Sequence, residues 1–187
     1  MLPFVTMFLV VLAPLLRLPC ARGQANSPSE YQLKAVFLFN FAKFIDWPPG
    51  SLTSPQSPFA ICILGQDPFG NALDDILQGK MIRDQPLAVQ RLKDQAEARR
   101  CQIVFVSSSE SARLAEILKS LRGANTLIVG ETNGFAASGG TIEFTLEDNR
   151  LRFTINTDAA DRAGLKFSAK LLSLAKIVHD EGHSKGG

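Results

Sequence analysis

The sequence predicts an α/β fold: a single three-layer domain with a mostly parallel sheet, a C-terminal antiparallel hairpin and flanking terminal helices. Three observations predict it. Three short, nearly all-apolar runs, Phe59–Gly65, Cys101–Ser107 and Thr126–Glu131, have the composition of strands buried on both faces. Segments with apolar residues at helical spacing separate them, and strand–helix alternation is what builds parallel pairing. Beyond them, Gly140–Asn156 alternates apolar and polar residues about Asp148-Asn149, the pattern of a hairpin with one solvated face.

The elements follow in order. Ser29 is suited to capping a helix that runs to Ile45 or Asp46 and stops where Trp47 precedes Pro48, because a residue before proline avoids the α region. Pro48–Pro58 is turn-rich. After the first buried strand, Asp67 and Pro68 open a helix carrying Phe69, Leu73, Ile76 and Leu77, which Gly79 ends. Pro86–Leu92 is a short strand and Asp94–Arg100 a polar helical turn. The second buried strand leads into a helix with Leu114, Ile117, Leu118 and Leu121 on one side and Gly123 as its stop. The third is followed by the glycine-containing Asn133–Phe144, read as turn geometry with a ligand loop as the alternative, and then by the hairpin. A last helix is expected over Arg162–Asp180, with a frayed tail beyond.

The first 23 residues read as a signal peptide, leaving 24–187 as the domain with an ordered core at about 30–178. The apolar run Leu2–Leu16 is short for a membrane span, and small residues follow it, although no Lys or Arg precedes it. Cys20 raises the alternative of lipidation, but Pro19 stands before it where a small residue is preferred. Losing Arg17 and Arg22 leaves 18 basic against 18 acidic residues, so no basic patch for nucleic acid is supported. Export leaves Cys62 and Cys101, an even pair that reads as one disulfide in an oxidising compartment; two separate buried thiols are the alternative. With two histidines, His179 and His183, both near the C-terminus, no metal site is expected.

No catalytic constellation stands out. Gly65–Gly70 lacks the glycines and the Lys-Ser/Thr ending of a phosphate loop, and Asp67 would repel a phosphate. Ser107–Glu110 offers hydroxyls without a histidine base or a nucleophile elbow, and reads as a helix cap. Asp74-Asp75 and Asp158/Asp161 read as solvated surface. Neither catalytic residues nor cofactors are expected. A small-ligand pocket at the strand ends near Gly65, Ser107 and Gly130 is the runner-up reading.

The first helix holds the sharper signal. At roughly 100° per residue, Leu33, Phe37, Phe41 and Phe44 share one face, with Phe39 opposite, near Val36, Ala35 and Lys43. One face serves the domain's core. The other points to an interface, either a homodimer seam or a partner's docking site. Val36, Phe39 and Lys43, with Arg150 and Arg152 on the hairpin's exposed face, are the candidate contacts.

Taken together, "KAVFLFNFAKFIDWP", "ICILGQDPFG", "RRCQIVFVSSSE", "TLIVGETNGFAASGGTIEF" and "NRLRFTINTDAADRAGLKFSAKLLSLAK" resemble the YfiR family of exported bacterial proteins, in collinear order over roughly Tyr31 to Val178. The resemblance implies a periplasmic, often dimeric α/β domain without known enzymatic activity. It also implies a partner: the periplasmic part of an inner-membrane diguanylate cyclase, which the family's characterised branch represses. Loss of that repression raises cyclic di-GMP and promotes biofilm, and an outer-membrane lipoprotein can sequester the repressor. Cys62 and Cys101 match the family's disulfide. The second bridge of some members has no counterpart here, since Gly134–Ile155 contains no cysteine.

Overall fold

The computed structural model describes residues 29–51 and 57–180. The expected leader, Cys20 and His183 lie outside the described residues. Helix α1 (Glu30–Phe44) begins on a capping box: Ser29 Oγ accepts from the Gln32 N–H at 3.3 Å, and Gln32 Oε1 accepts from the Ser29 N–H at 2.7 Å. Its end passes into β1 (Ile45–Asp46), ahead of Trp47-Pro48. The strand β2 (Phe59–Leu64) is buried at all six positions. Next come α2 (Ala72–Leu77), β3 (Met81–Ile82) and β4 (Gln85–Leu92). A 3-10 turn over Gln95–Arg100 leads to β5 (Ile103–Val106), and a second, over Ser108–Arg113, leads to α3 (Leu114–Leu121). Then follow β6 (Leu127–Gly130), β7 (Ile142–Glu147), β8 (Arg150–Asn156), α4 (Thr157–Arg162), β9 (Lys166–Phe167), α5 (Ala169–Leu172) and β10 (Lys176–Val178).

Eight strands form one sheet in the order β10-β8-β7-β6-β5-β2-β4-β3, beside the small pair β1-β9. Neighbours from β4 through β2, β5 and β6 to β7 are parallel; β8 returns antiparallel to β7, and β10 runs parallel to β8. The fold class is the expected one, with more parallel strands than the three all-apolar runs disclose.

Alternation along the buried strands supplies both faces. Ile61, Ile63, Phe105, Val129, Phe144 and Phe153 pack under α1 and α2. Cys62, Leu64, Val104, Val106 and Ile128 pack against Ile117, Leu118 and Leu121 of α3. A disulfide joins Cys62 in β2 to Cys101 just before the neighbouring β5, with Cα atoms 6.1 Å apart and a sequence separation of 39. Both cysteines are buried.

The structure corrects two elements. Asp67 and Pro68 do not open the second helix: Asp67 accepts from the Phe69 N–H at 2.7 Å in a local turn and pairs with Arg91, and α2 starts only at Ala72. The single C-terminal helix expected over Arg162–Asp180 does not form. Asn156 Oδ1 accepts from the Ala159 N–H at 3.0 Å and starts α4 earlier, while Gly164, at φ 67°, stops it. Ser168 then caps the short α5, and Lys176–Val178 leave the helical path to pair with Thr154–Asn156. The helical spacing of Leu165, Ala169 and Leu172 is real, but Leu165 reaches the core from the connection between α4 and β9, and Leu171 from α5.

Candidate partner-binding site

Helix α1 lies across the sheet with Ala35, Leu38, Phe41 and Ala42 buried. Its phenylalanines meet those of the hairpin: the Phe37 ring is 5.4 Å from Phe153, and Phe41 is 5.8 Å from Phe144, centroid to centroid. Such contacts add about 0.5–1.5 kcal/mol each beyond their buried area. Much of the helix's aromatic surface therefore serves the domain's own core.

The helix is set by an ion network at the ends of the parallel strands. Lys34, buried on the helix, holds Glu131 Oε2 at 2.6 Å, just past β6, and Glu30 Oε1 at 2.5 Å. Tyr31 lies under the ammonium, 4.4 Å from Nζ to the ring centroid. Burial pulls the Lys34 pKa down, yet the hydrogen bonds it donates to Glu131 and Glu30 outweigh it and hold the group above the ordinary lysine value. Burial, then the Glu131 charge, pushes the Tyr31 phenol up.

This network turns α1 by about a quarter turn from the expected orientation. Leu33, Val36 and Phe44 are 37%, 42% and 38% exposed, whereas Leu38 and Ala42, absent from the expected core face, are fully buried. Leu33 and Phe44, expected inside, belong to the outer stripe, and Ala35, expected outside, is buried. Phe39 is half-buried and covered by Lys80, whose Nζ is 5.5 Å from the ring centroid. With Lys43 and the exposed Met81, Phe39 lines a crevice of about 260 Å³ between α1 and the β3–β4 hairpin.

The five candidate contacts do not share one surface. Val36, Phe39 and Lys43 ride on α1. In β8, Phe153 packs under α1, so Arg150 and Arg152, offset from it by an odd number of residues, point to the opposite face of the sheet. Both are exposed.

The strand ends near Gly65, Ser107 and Gly130 are filled. A Cβ on Gly65 would lie 2.5 Å from Ser109 Oγ, and one on Gly130 would lie 2.3 Å from the Phe135 ring. The open volume, about 390 Å³, is displaced toward Tyr31, Lys34, Ser108, Glu131 and Glu143. Among these, Lys34, Glu131 and Glu143 were not singled out by the sequence. Glu143 is buried and accepts from the Gly134 and Ala136 N–H groups at 3.0 Å each, tying down the glycine-containing loop. A charged residue inside an apolar strand start, as in "TIEF", is the signal that points to it. Among the described residues no cluster of three or more His, Cys, Asp or Glu side chains could hold a metal ion, and no helix is long and apolar enough to cross a membrane.

A model of the YfiR/HmsC-like family matches residues 31–176, from α1 to the first residue of β10. The chain belongs to the YfiR/HmsC-like family. No curated protein matches the sequence. Among solved structures, a conserved domain protein of Vibrio cholerae O1 biovar El Tor is similar at 12% identity and a TM-score of 0.47, over 64% of this chain and 54% of that one. An ABC domain of Streptococcus pneumoniae in complex with L-Trp is similar at 10% identity and a TM-score of 0.45, over 64% and 55%. This YfiR/HmsC-like chain thus spans about half the length of those two structures.

Proposed function

We propose that this protein is an exported regulator that binds the periplasmic domain of a membrane-bound signalling protein, a diguanylate cyclase, and restrains it without chemistry of its own. Family membership supports this reading. The observation that carries it is the outer stripe of α1: Leu33, Val36 and Phe44 are exposed on a helix whose inner face is locked by Lys34 and the Phe37–Phe153 contact. An anchored helix with an uncovered apolar stripe presents a rigid docking element.

In this reading residues 1–23 direct export and are removed, and the mature chain works in the periplasm. Docking uses Val36 and Lys43 on the stripe and Phe39 at its crevice, and a homodimer or an outer-membrane lipoprotein competes for the same apolar stripe.

The test is deletion of the gene with measurement of cyclic di-GMP. A rise that the wild-type gene reverses, and a Val36→Glu gene does not, supports the proposal. An unchanged level counts decisively against it.

A further inference from the structure

The hairpin offers a second, different surface: its outer edge. Asp148 and Asn149, at φ 48° and 58°, form the two-residue turn, so Glu147 and Arg150 exchange the first ladder hydrogen bonds. Counting from that pair, Arg150, Arg152 and Thr154 aim their backbone groups at β7, and Leu151, Phe153 and Ile155 aim theirs outward. The next strand, β10, begins opposite Thr154. Among the described residues no strand pairs with the outer side of Leu151.

The side chains around this open edge are apolar on one face and charged on the other, where the exposed Glu147 of β7 stands opposite Arg150 and leaves the two arginines in excess. Leu151 packs at the margin of the core beneath α1, beside the exposed Leu146 opposite it in β7. Arg150 and Arg152 stand on the other face, and among the described residues neither has an ion-pair partner.

A second copy of this chain fits the edge badly. Antiparallel pairing of β8 with itself about a two-fold axis must centre on one residue, because paired residues share a face. Centred on Leu151, it sets Arg150 of one copy against Arg152 of the other; centred on Arg152, it sets that residue against itself. Like charges directly opposite oppose either register.

We infer that the β8 edge accepts an extended segment of another protein, acidic at alternate positions and apolar between them. The acidic side chains lie beside Arg150 and Arg152, the apolar ones continue the Leu146–Leu151 face, and Leu151 supplies main-chain hydrogen bonds. The identity of the protein that presents this segment rests on the proposed regulatory function; the chemistry of the edge does not.

The experiment measures binding of a short fluorescent peptide alternating valine and glutamate, against its valine–lysine counterpart, by anisotropy with the full mature chain. The glutamate peptide is expected to bind roughly tenfold more tightly than the lysine peptide, with the preference shrinking in high salt. Arg152→Glu, a surface change, should reverse the preference. Leu151→Pro, which removes the outward N–H and leaves the β7 ladder untouched, should reduce binding of the glutamate peptide roughly tenfold. Equal binding of both peptides, no binding of either, or a preference that survives Arg152→Glu overturns the inference. A deletion phenotype in cyclic di-GMP fully restored by both variants overturns the edge as the regulatory partner's seat while leaving the regulatory reading intact. Specific peptide binding with no deletion phenotype supports the edge and defeats the regulatory reading.

Discussion

The Lys34 ammonium lies 2.6 Å from a Glu131 carboxylate oxygen, and this buried pair fastens the first helix of the chain to the end of a central strand nearly a hundred residues away. Its side chains are 4% and 8% exposed, so neither charge has water to fall back on. Removing Lys34 leaves the Glu131 charge buried without its cation, at a cost of about 3–5 kcal/mol, and removing Glu131 leaves the buried Lys34 with Glu30 alone.

Lys34→Met and Glu131→Gln should therefore each lower the denaturation midpoint strongly, while the double variant Lys34→Met/Glu131→Leu recovers much of the loss. Urea unfolding followed by circular dichroism measures both. Additive losses in the double variant would show that the pair is not coupled.

The disulfide joins adjacent strands through two buried cysteines. For a separation of 39 residues, the chain-entropy estimate is about 3–4 kcal/mol. Cys62→Ala/Cys101→Ala should unfold at correspondingly lower denaturant. A reductant should leave the native wild type oxidised while reducing it quickly in denaturant, as thiol labelling and mass spectrometry can follow.

Phe135 is clasped between two glycines: a Cβ on Gly130 or on Gly140 would come within 2.3 Å or 2.1 Å of its ring. Gly130→Ala and Gly140→Ala should each cost about 1–3 kcal/mol by overpacking. Phe135→Leu combined with Gly130→Ala should restore part of the stability, measured by thermal unfolding.

Asp180 closes the described chain onto α4. It is bonded to Arg162 and accepts from the Asn156 side-chain amide at 2.8 Å. Burial raises its pKa, but the bonds from Arg162 and Asn156 prevail and hold the carboxyl below its ordinary value of 3.8. A depressed carboxyl stabilises the fold at pH above the unfolded value, and that contribution fades as pH falls through the folded one. Stability should therefore drop below about pH 4, and Asp180→Asn should flatten that part of the profile while lowering stability at neutral pH. Denaturant midpoints across the acid range check it.

On the outer stripe of α1, Val36→Glu should change stability by less than about 0.5 kcal/mol, as surface substitutions usually do. Loss of cyclic di-GMP control at unchanged thermal midpoint would separate docking from folding.

Much of this architecture is legible in the sequence because it is locally encoded. All-apolar runs such as Phe59–Leu64 can be satisfied only between two layers. Asp148-Asn149 fits a turn that needs positive φ twice, and Ser29 with Gln32 writes a helix start. The expectation of an export leader rests on local composition alone, and those residues lie outside the described ones. The near balance of 20 basic against 18 acidic residues and the count of only two histidines also narrow the expected functional classes.

Where local cues compete, the sequence is silent. Helix α1 is apolar nearly all round, so its periodicity cannot say which side faces the sheet; the buried Lys34–Glu131 pair and the facing Phe144 and Phe153 choose, and they leave Leu33 and Phe44 outside. Residues Leu165–Ile177 keep helical spacing, yet Ile177 joins the sheet because Ile155 offers it an open edge. The side of the sheet from which Arg150 and Arg152 project follows from where the first helix docks. Periodicity fixes what a segment can bury, whereas partners distant in sequence fix what it does bury.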